Sequence, residues 1–209
     1  MANVFSAALC VFFPVACVGC ASPDVALCAQ CRHELVPAPS EHQLSDGTRL
    51  WAALPYGGVL RSVILQFKEN NRTDIARYLA PLLEAAILRA EDGAGRHPVL
   101  VCVPSSSGAW RRRGYRPVEL VVKRAGFVHS SALMNAAGGG VQKLLTADQR
   151  LMNRRGAFRA RGWLAGKSII LVDDVVTTGA TLAEAVRAIH QVGGVVTGAA
   201  VVAFTPLQH

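Results

Sequence analysis

At 209 residues the chain can hold one full domain and a small appendage, and with 51% hydrophobic residues it is too apolar to be intrinsically disordered. Only 17% of residues are charged, yet the formal net charge is +8. The excess is local: between Val99 and Ser168 thirteen Lys and Arg face two acids, Glu119 and Asp148, a segmental +11 that attracts phosphates on a small ligand or on nucleic acid.

The apolar run Val4–Val18 is too short for a membrane span, is interrupted by Pro14 and has no basic residue ahead of it. It reads as a buried lead-in, with no membrane span and a cytoplasmic location expected. Five of the six cysteines precede residue 32, and four of them form Cys17-x2-Cys20 and Cys28-x2-Cys31. Each such knuckle turns two thiolates toward one point, and two knuckles complete a tetrahedral, structural zinc site with no open position. Disulfides or a redox pair are the alternative uses. Nothing points to an oxidising compartment, and two copies close together fit a metal better. Cys10 and Cys102 read as core residues. Pro37, Pro39, Ser40 and the polar run Glu41–Arg49 then suggest a linker. The expected division is a zinc-ribbon-like segment over 1–36, a linker over 37–50 and a main domain over 51–209.

In the main domain, Val99–Val103, Ile169–Val172 and Val195–Phe204 are Val-rich apolar runs of the kind buried in parallel sheets. Helical patterns cover Asp74–Ala90, Pro117–Ala125 and Thr181–Val192, the last ended by Gly193-Gly194. Alternating strands and helices predict an α/β, doubly wound, mainly parallel sheet, whose ligands sit at the carboxyl ends of its strands.

The residues just after Val172 are therefore informative. Asp173 and Asp174 stand at a strand tip, where paired carboxylates can accept hydrogen bonds from a ribose diol or hold magnesium through water. Two adjacent acids in a buried setting repel, so a cation or hydroxyl groups should answer them. Thr177, Thr178, Gly179, Ala180 and Thr181 then place amides and hydroxyls at a helix start, a ready anion site, with Gly179 allowing close approach of a phosphate. An ordinary turn with a capping Thr accounts for one Thr and the Gly, but not for two acids and three Thr. Gly162–Ser168 imitates a P-loop, but one residue is missing between its glycines and a strand rather than a helix comes next.

The thirteen residues Ile169–Thr181 (IILVDDVVTTGAT) match the signature of type I phosphoribosyltransferases. Further landmarks run in order along the chain: Leu27-Cys28-x2-Cys31, Tyr56-Gly57, Lys68 in LQFK, Val103-Pro104, Arg113-Gly114-Tyr115 and Gln142–Phe158. Together they resemble the competence-protein ComF/GntX family, in which a four-cysteine ribbon precedes a phosphoribosyltransferase domain. The resemblance departs after Tyr115, where Arg116-Pro117 replaces the family's Asn-Gln.

The resemblance implies phosphoribosyl pyrophosphate and magnesium as ligands, with Asp173 and Asp174 on the ribose hydroxyls and the magnesium complex, and Thr177–Thr181 on the 5′-phosphate. Lys68, Pro104, Ser105, Arg111, Arg112 and Arg113 fall on the pyrophosphate side, and Gln142–Phe158 is the closing hood. Arg150, Arg154 or Arg155 on that hood would stabilise the leaving pyrophosphate. The activity implied is phosphoribosyl transfer to an unidentified acceptor. The other readings are a non-catalytic ligand sensor, or a DNA-uptake factor whose basic groove takes single-stranded DNA, with Trp110 and Tyr115 available for stacking. Thr177 stands where the enzymes that salvage 6-oxopurines usually carry Asp, so a different acceptor is implied.

Overall fold

The computed structural model describes residues 15–92, 94–95, 97–136 and 156–205. Cys10 and residues 142–155 of the expected hood, with the arginines 150, 154 and 155, lie outside them, as do 4–14 of the apolar lead-in. Val15 is exposed.

The short helix α1 (Ala29–His33) carries Cys31 and is capped by the Cys28 sulfur, which accepts from the Cys31 amide. Residues 37–50, expected as a linker, instead contain strand β1 (Ser40–Gln43) and open strand β2 (Arg49–Pro55), paired antiparallel as Ser40↔Ala52 to Gln43↔Arg49. The reason is local: Asp46-Gly47 is a hairpin turn, with the Asp46 carboxylate accepting from the Thr48 amide at 3.0 Å.

Helix α2 (Gly58–Glu69) comes next, then a 3-10 turn (Thr73–Ile75) that runs into α3 (Ala76–Glu91). Strand β3 (Val99–Cys102) leads through α4 (Ser107–Arg113) and α5 (Pro117–Arg124) to a hairpin of β4 (Leu133–Asn135) and β5 (Phe158–Ala160). Strand β6 (Ser168–Val176), helix α6 (Ala180–Gln191) and strand β7 (Val195–Phe204) complete the order. The Arg116-Pro117 departure has a structural use: Arg116 is the N-cap of α5 and Pro117 its first residue, where proline's fixed φ suits a helix start.

The main sheet has the order β1-β2-β7-β6-β3, parallel throughout except for the β1 edge. Parallel strands buried on both faces must be apolar at every position, and the fully buried stretch Ile169–Val172 of β6 obeys. Ile170 and Val172 enter a core with α2, α3 and α5, whereas Ile169 and Leu171 enter a second core with α6, Leu133 and Phe158. The fold is thus the expected α/β, mainly parallel architecture. Cys102 lies in the first core, where burial pushes its thiol pKa up, so it is a neutral packing residue.

The cysteine segment is not a detached appendage. Cys17, Leu27, Cys31 and Leu35 belong to the same apolar cluster as Trp51, Leu60 and Val63. Gly19 has no room for a side chain, since a Cβ there would stand 2.6 Å from Cys31 Sγ and 3.2 Å from a Val59 methyl. The ribbon therefore docks on the start of α2.

Among the described residues Glu184 of α6 is the one buried charged group, 5% exposed. Arg187, one turn on, grips it with Nε and Nη2, both at 2.6 Å. The pair also takes both backbone groups of Phe158: Glu184 accepts from its amide at 3.3 Å and Arg187 donates to its carbonyl at 3.4 Å. Burial alone would raise the Glu184 pKa, but the bonds from Arg187 and the Phe158 and Gly156 amides outweigh it and hold the pKa below the ordinary glutamate value.

Removing one partner of such a pair strands a buried charge. Arg187→Met is expected to lower the unfolding free energy by about 2 kcal/mol, below the ~3–5 kcal/mol of fully buried broken pairs because Arg187 is 30% exposed. Because the folded pKa of Glu184 is depressed, the pair's contribution is complete above the unfolded carboxyl pKa and is lost as pH falls through the folded one. Urea titrations at pH 7 and pH 4 check both statements: the wild-type advantage over Arg187→Met should shrink at the lower pH.

Candidate functional site

Parallel pairing brings the carboxyl ends of β2, β7, β6 and β3 to one edge of the sheet. Strand β6 runs four residues beyond the apolar run read from sequence, because Asp173 to Val176 continue the ladder to Val201, Ala203 and Phe204 of β7. Asp173 and Asp174 are therefore strand residues with rigid backbones. Each carboxylate accepts from the next amide in the chain, Asp173 from Asp174 at 2.9 Å and Asp174 from Val175 at 2.7 Å.

The cation that two adjacent acids require is Lys68. Its Nζ lies 3.1 Å from Asp174 Oδ1 and 3.0 Å from Oδ2, with the two side chains only 27% and 17% exposed. Burial works against the Lys68 ammonium, but the charge and hydrogen bond of Asp174, aided by the charge of Asp173, hold its pKa above the ordinary lysine value. Lys68 thus stays protonated across the neutral range.

Lys68 sits in the last turn of α2, where carbonyls have no helical partner. Two residues of the Arg113-Gly114-Tyr115 landmark satisfy them: Arg113 Nε donates to the Lys68 carbonyl and the Tyr115 hydroxyl donates to the Phe67 carbonyl. Arg113 also pairs with Glu69 at 2.8 Å and is 12% exposed on its side chain, and the Tyr115 ring packs on Phe67 at 5.6 Å. A guanidinium at a helix C-terminus also meets the negative end of the helix dipole. The landmark therefore works as a cap that aims Lys68. Its Tyr115, expected as a stacking surface, is turned toward α2, while Arg111 and Arg112 are exposed and Trp110 is 46% exposed.

Beyond Val176 the chain turns through Thr177, Thr178 and Gly179 into α6. Gly179 takes φ +74°, and a Cβ there would stand 3.0 Å from a Leu44 methyl of the β1–β2 turn. The positive φ favours glycine, and a side chain would also have to displace the Leu44 methyl. The Thr178 hydroxyl accepts from the Ala180 amide at 3.4 Å. A hollow of about 30 Å³ is lined by Asp173, Thr177, Thr178, Gly179 and Thr181, so the acid and the turn face the same space. The hollow lies at the start of a twelve-residue helix, the end that favours a phosphate.

On the β3 side, Val103 extends the ladder by donating to the Val172 carbonyl at 2.9 Å, which sets Pro104 and Ser105 beside the tip of β6. Ser106 caps α4 through the Ala109 amide at 3.3 Å. The hairpin reaches this turn as well, since Asn135 Nδ2 donates to the Ser105 carbonyl at 2.8 Å. Sequence reasoning missed Asn135, Glu184 and Leu44, because each acts on a turn or strand far from it in the chain. A depression of about 570 Å³ between the β1–β2 turn and α6, lined by Asp46, Thr48, Arg187 and His190, shares no residue with the strand tips.

The four ribbon sulfurs Cys17, Cys20, Cys28 and Cys31 lie within 4.8 Å of one another, and none is in a disulfide. Zinc bonds of ~2.3 Å in a tetrahedron set sulfurs ~3.8 Å apart, and the Cys20–Cys28 separation is 3.6 Å. Burial alone would raise the Cys17 thiol, but the amides of Cys28, Cys20 and Gly19 outweigh it and bring its pKa down to about 6. Amides aimed at a sulfur are what a coordinated thiolate needs, so the four cysteines could hold zinc. No helix among the described residues is long and apolar enough to cross a membrane.

The comparisons agree with this geometry. Residues 74–208 match the family described as phosphoribosyl transferase domain. The chain is 31% identical over 176 residues to the DNA utilization protein YhgH of Escherichia coli K12, covering 77% of this chain and 76% of that one. It is likewise 31% identical over 183 residues to the YhgH protein of Salmonella typhi, covering 80% and 79%. The strand-tip acids and the Thr-rich turn fall inside the matched residues, the four-cysteine cluster stands ahead of them, and the chain belongs to the phosphoribosyl transferase domain family, in the ComF/GntX type that sets a four-cysteine ribbon before that domain.

Proposed function

We propose that the protein binds phosphoribosyl pyrophosphate with magnesium at the tips of β6 and β3 and transfers the phosphoribosyl group to an acceptor. The observation that carries this reading is the half-buried Lys68–Asp174 pair standing beside a glycine-dependent turn at the start of α6. The turn supplies amides and hydroxyls of Thr177, Thr178 and Thr181 for the 5′-phosphate. Asp173 and Asp174 supply acceptors for the ribose diol. Their oxygen-only donors suit magnesium, which would arrive on the pyrophosphate and spread its charge. Lys68, Pro104, Ser105, Arg111 and Arg112 would face the pyrophosphate. Arg113 contributes at one remove, by holding the Lys68 carbonyl. Arg150, Arg154 and Arg155 are assigned from the resemblance to the charge that builds on the leaving pyrophosphate.

A second reading is favoured by the names of the relatives, DNA utilization proteins, together with the exposed guanidiniums of Arg111 and Arg112. In that reading the ligand site senses and the basic surface handles single-stranded DNA. Turnover separates the two, because a sensor binds phosphoribosyl pyrophosphate without releasing pyrophosphate to any acceptor.

Titration calorimetry is expected to show magnesium-dependent binding of phosphoribosyl pyrophosphate. Asp174→Asn with Thr181→Val should weaken it at least about tenfold, roughly 1.4 kcal/mol. Equal binding by wild type and the double variant would place the ligand elsewhere.

Metal analysis of protein prepared without chelators should find about one zinc per chain. Cys17→Ser or Cys28→Ser should release it. Because the ribbon shares its core with α2, the same changes should lower the melting temperature of the whole domain. A metal-free preparation with the wild-type melting temperature would reject a structural zinc.

The acceptor is constrained by Thr177, which is not ionised near neutral pH and cannot act as the general base that a 6-oxopurine needs. Hypoxanthine and guanine are expected to be poor acceptors, tested by pyrophosphate release with each base. Gain of purine transfer in Thr177→Asp would show that only the base was missing.

A further inference from the structure

A second cleft, of about 430 Å³, opens beyond the β3 tip between α4 and the β4–β5 hairpin, and it shares no lining residue with the phosphate turn. Its walls include Trp110 and Met134, large apolar side chains left 46% and 38% exposed. Such side chains cost free energy in water and mark a surface that covers something flat and apolar. Two guanidiniums, Arg116 and Arg161, line the same cleft. Arg116 is answered by Glu119 at 2.8 Å, whereas no carboxylate among the described residues pairs with Arg161. The Arg161 backbone is fixed by its amide bond to the Ala132 carbonyl at 3.0 Å, so this cation projects from an anchored point.

The fifth element is Asn135. Its Nδ2 is committed to the Ser105 carbonyl, which leaves Oδ1 to accept a hydrogen bond from a ligand. Ser105 is itself part of the lining, so the cleft abuts the pyrophosphate-side turn. An indole face, a thioether, an unanswered guanidinium and an oriented amide acceptor describe a seat for a planar, hydrogen-bonding ring that carries an anion. The volume falls in the range of ~300–1,000 Å³ typical of small-ligand pockets.

We infer that this cleft binds one nucleotide unit, the base against Trp110 and Met134 and the phosphate on Arg161. The unit is either a free mononucleotide or the end of a single strand, which present the same chemistry. Its place beside Ser105 makes it the candidate seat of the acceptor, an inference that rests on the proposed transfer only for that use and not for the binding itself.

The test uses the full chain and thymidine 5′-monophosphate, followed by calorimetry and tryptophan quenching. Thymidine and ribose 5-phosphate, which lack the phosphate and the base respectively, should each bind at least about tenfold more weakly. Trp110→Ala and Arg161→Gln should each cost at least about tenfold, while Thr181→Val changes nothing. Both altered side chains are exposed, and an unchanged melting temperature will confirm that the variants fold. A hexathymidylate arm separates the sources. Tighter binding of the oligomer, with the same loss in Arg161→Gln and a steep salt dependence, identifies a strand end, and equal or weaker binding identifies the free nucleotide. Failure of the wild type to bind thymidine monophosphate overturns the inference. So does binding that survives both cleft changes, or that Thr181→Val abolishes. Phosphoribosyl pyrophosphate binding, measured on the same variants and expected to be unchanged in Arg161→Gln, keeps a failure here distinct from a failure of the main site.

Discussion

The contact between the Lys68 ammonium and the Asp174 carboxylate organises this molecule. Two acids side by side at a strand tip repel one another in a half-buried setting, and the strand could not end that way without a cation nearby. The cation comes from the far side of the chain, 106 residues earlier, on the last turn of α2. Everything that positions α2 therefore positions the site. The four-cysteine segment packs on the start of the helix through Gly19 and Val59, and Arg113 and Tyr115 close its end. A ribbon and a sequence landmark that look peripheral in the chain thus meet on one helix and act through one lysine.

The opposite flank is held by a second device of the same kind. The β4–β5 hairpin is tied to the turn after β3 by Asn135 and to α6 by the Glu184–Arg187 pair at Phe158. Helix α6 begins at the Thr177–Gly179 turn, so Glu184 lies about one helical turn from it. The hairpin is the brace between the turns that follow β3 and β6. Hydrogen bonds to buried charges are stronger than neutral ones, which explains why a buried carboxylate is tolerated in an otherwise apolar helix face.

Much of this was legible in the residues. The three Val-rich runs, the helices after Asp74, Pro117 and Thr181, the acid pair and the Thr-rich turn all arise from local pattern, because buried parallel strands must be apolar and phosphate turns must offer amides and glycine. Signals for α2 and for the first hairpin were present too, in Leu60, Val63, Ile64 and Phe67 at helical spacing and in Asp46-Gly47. The polar composition of 37–50 pointed instead to a linker, since an edge hairpin with one face in solvent is as polar as a loop. Sequence spacing also grouped Arg113 with Arg111 and Arg112, although Arg113 caps a helix and the other two face solvent.

The sequence by itself determined the α/β class, the edge of the sheet that carries the candidate site, the Thr-rich turn into α6 and the two cysteine knuckles, because each depends on residues that are neighbours in the chain. It also required that a cation or hydroxyl groups answer Asp173 and Asp174. Only the tertiary structure decided which one, since Lys68 reaches Asp174 through the packing of α2 across the sheet. The same holds for Arg113 as a cap, Asn135 as a tie and the cleft between Trp110 and Arg161. Each is a contact between groups far apart in sequence, where local propensity carries no information and the arrangement of packed layers sets every distance.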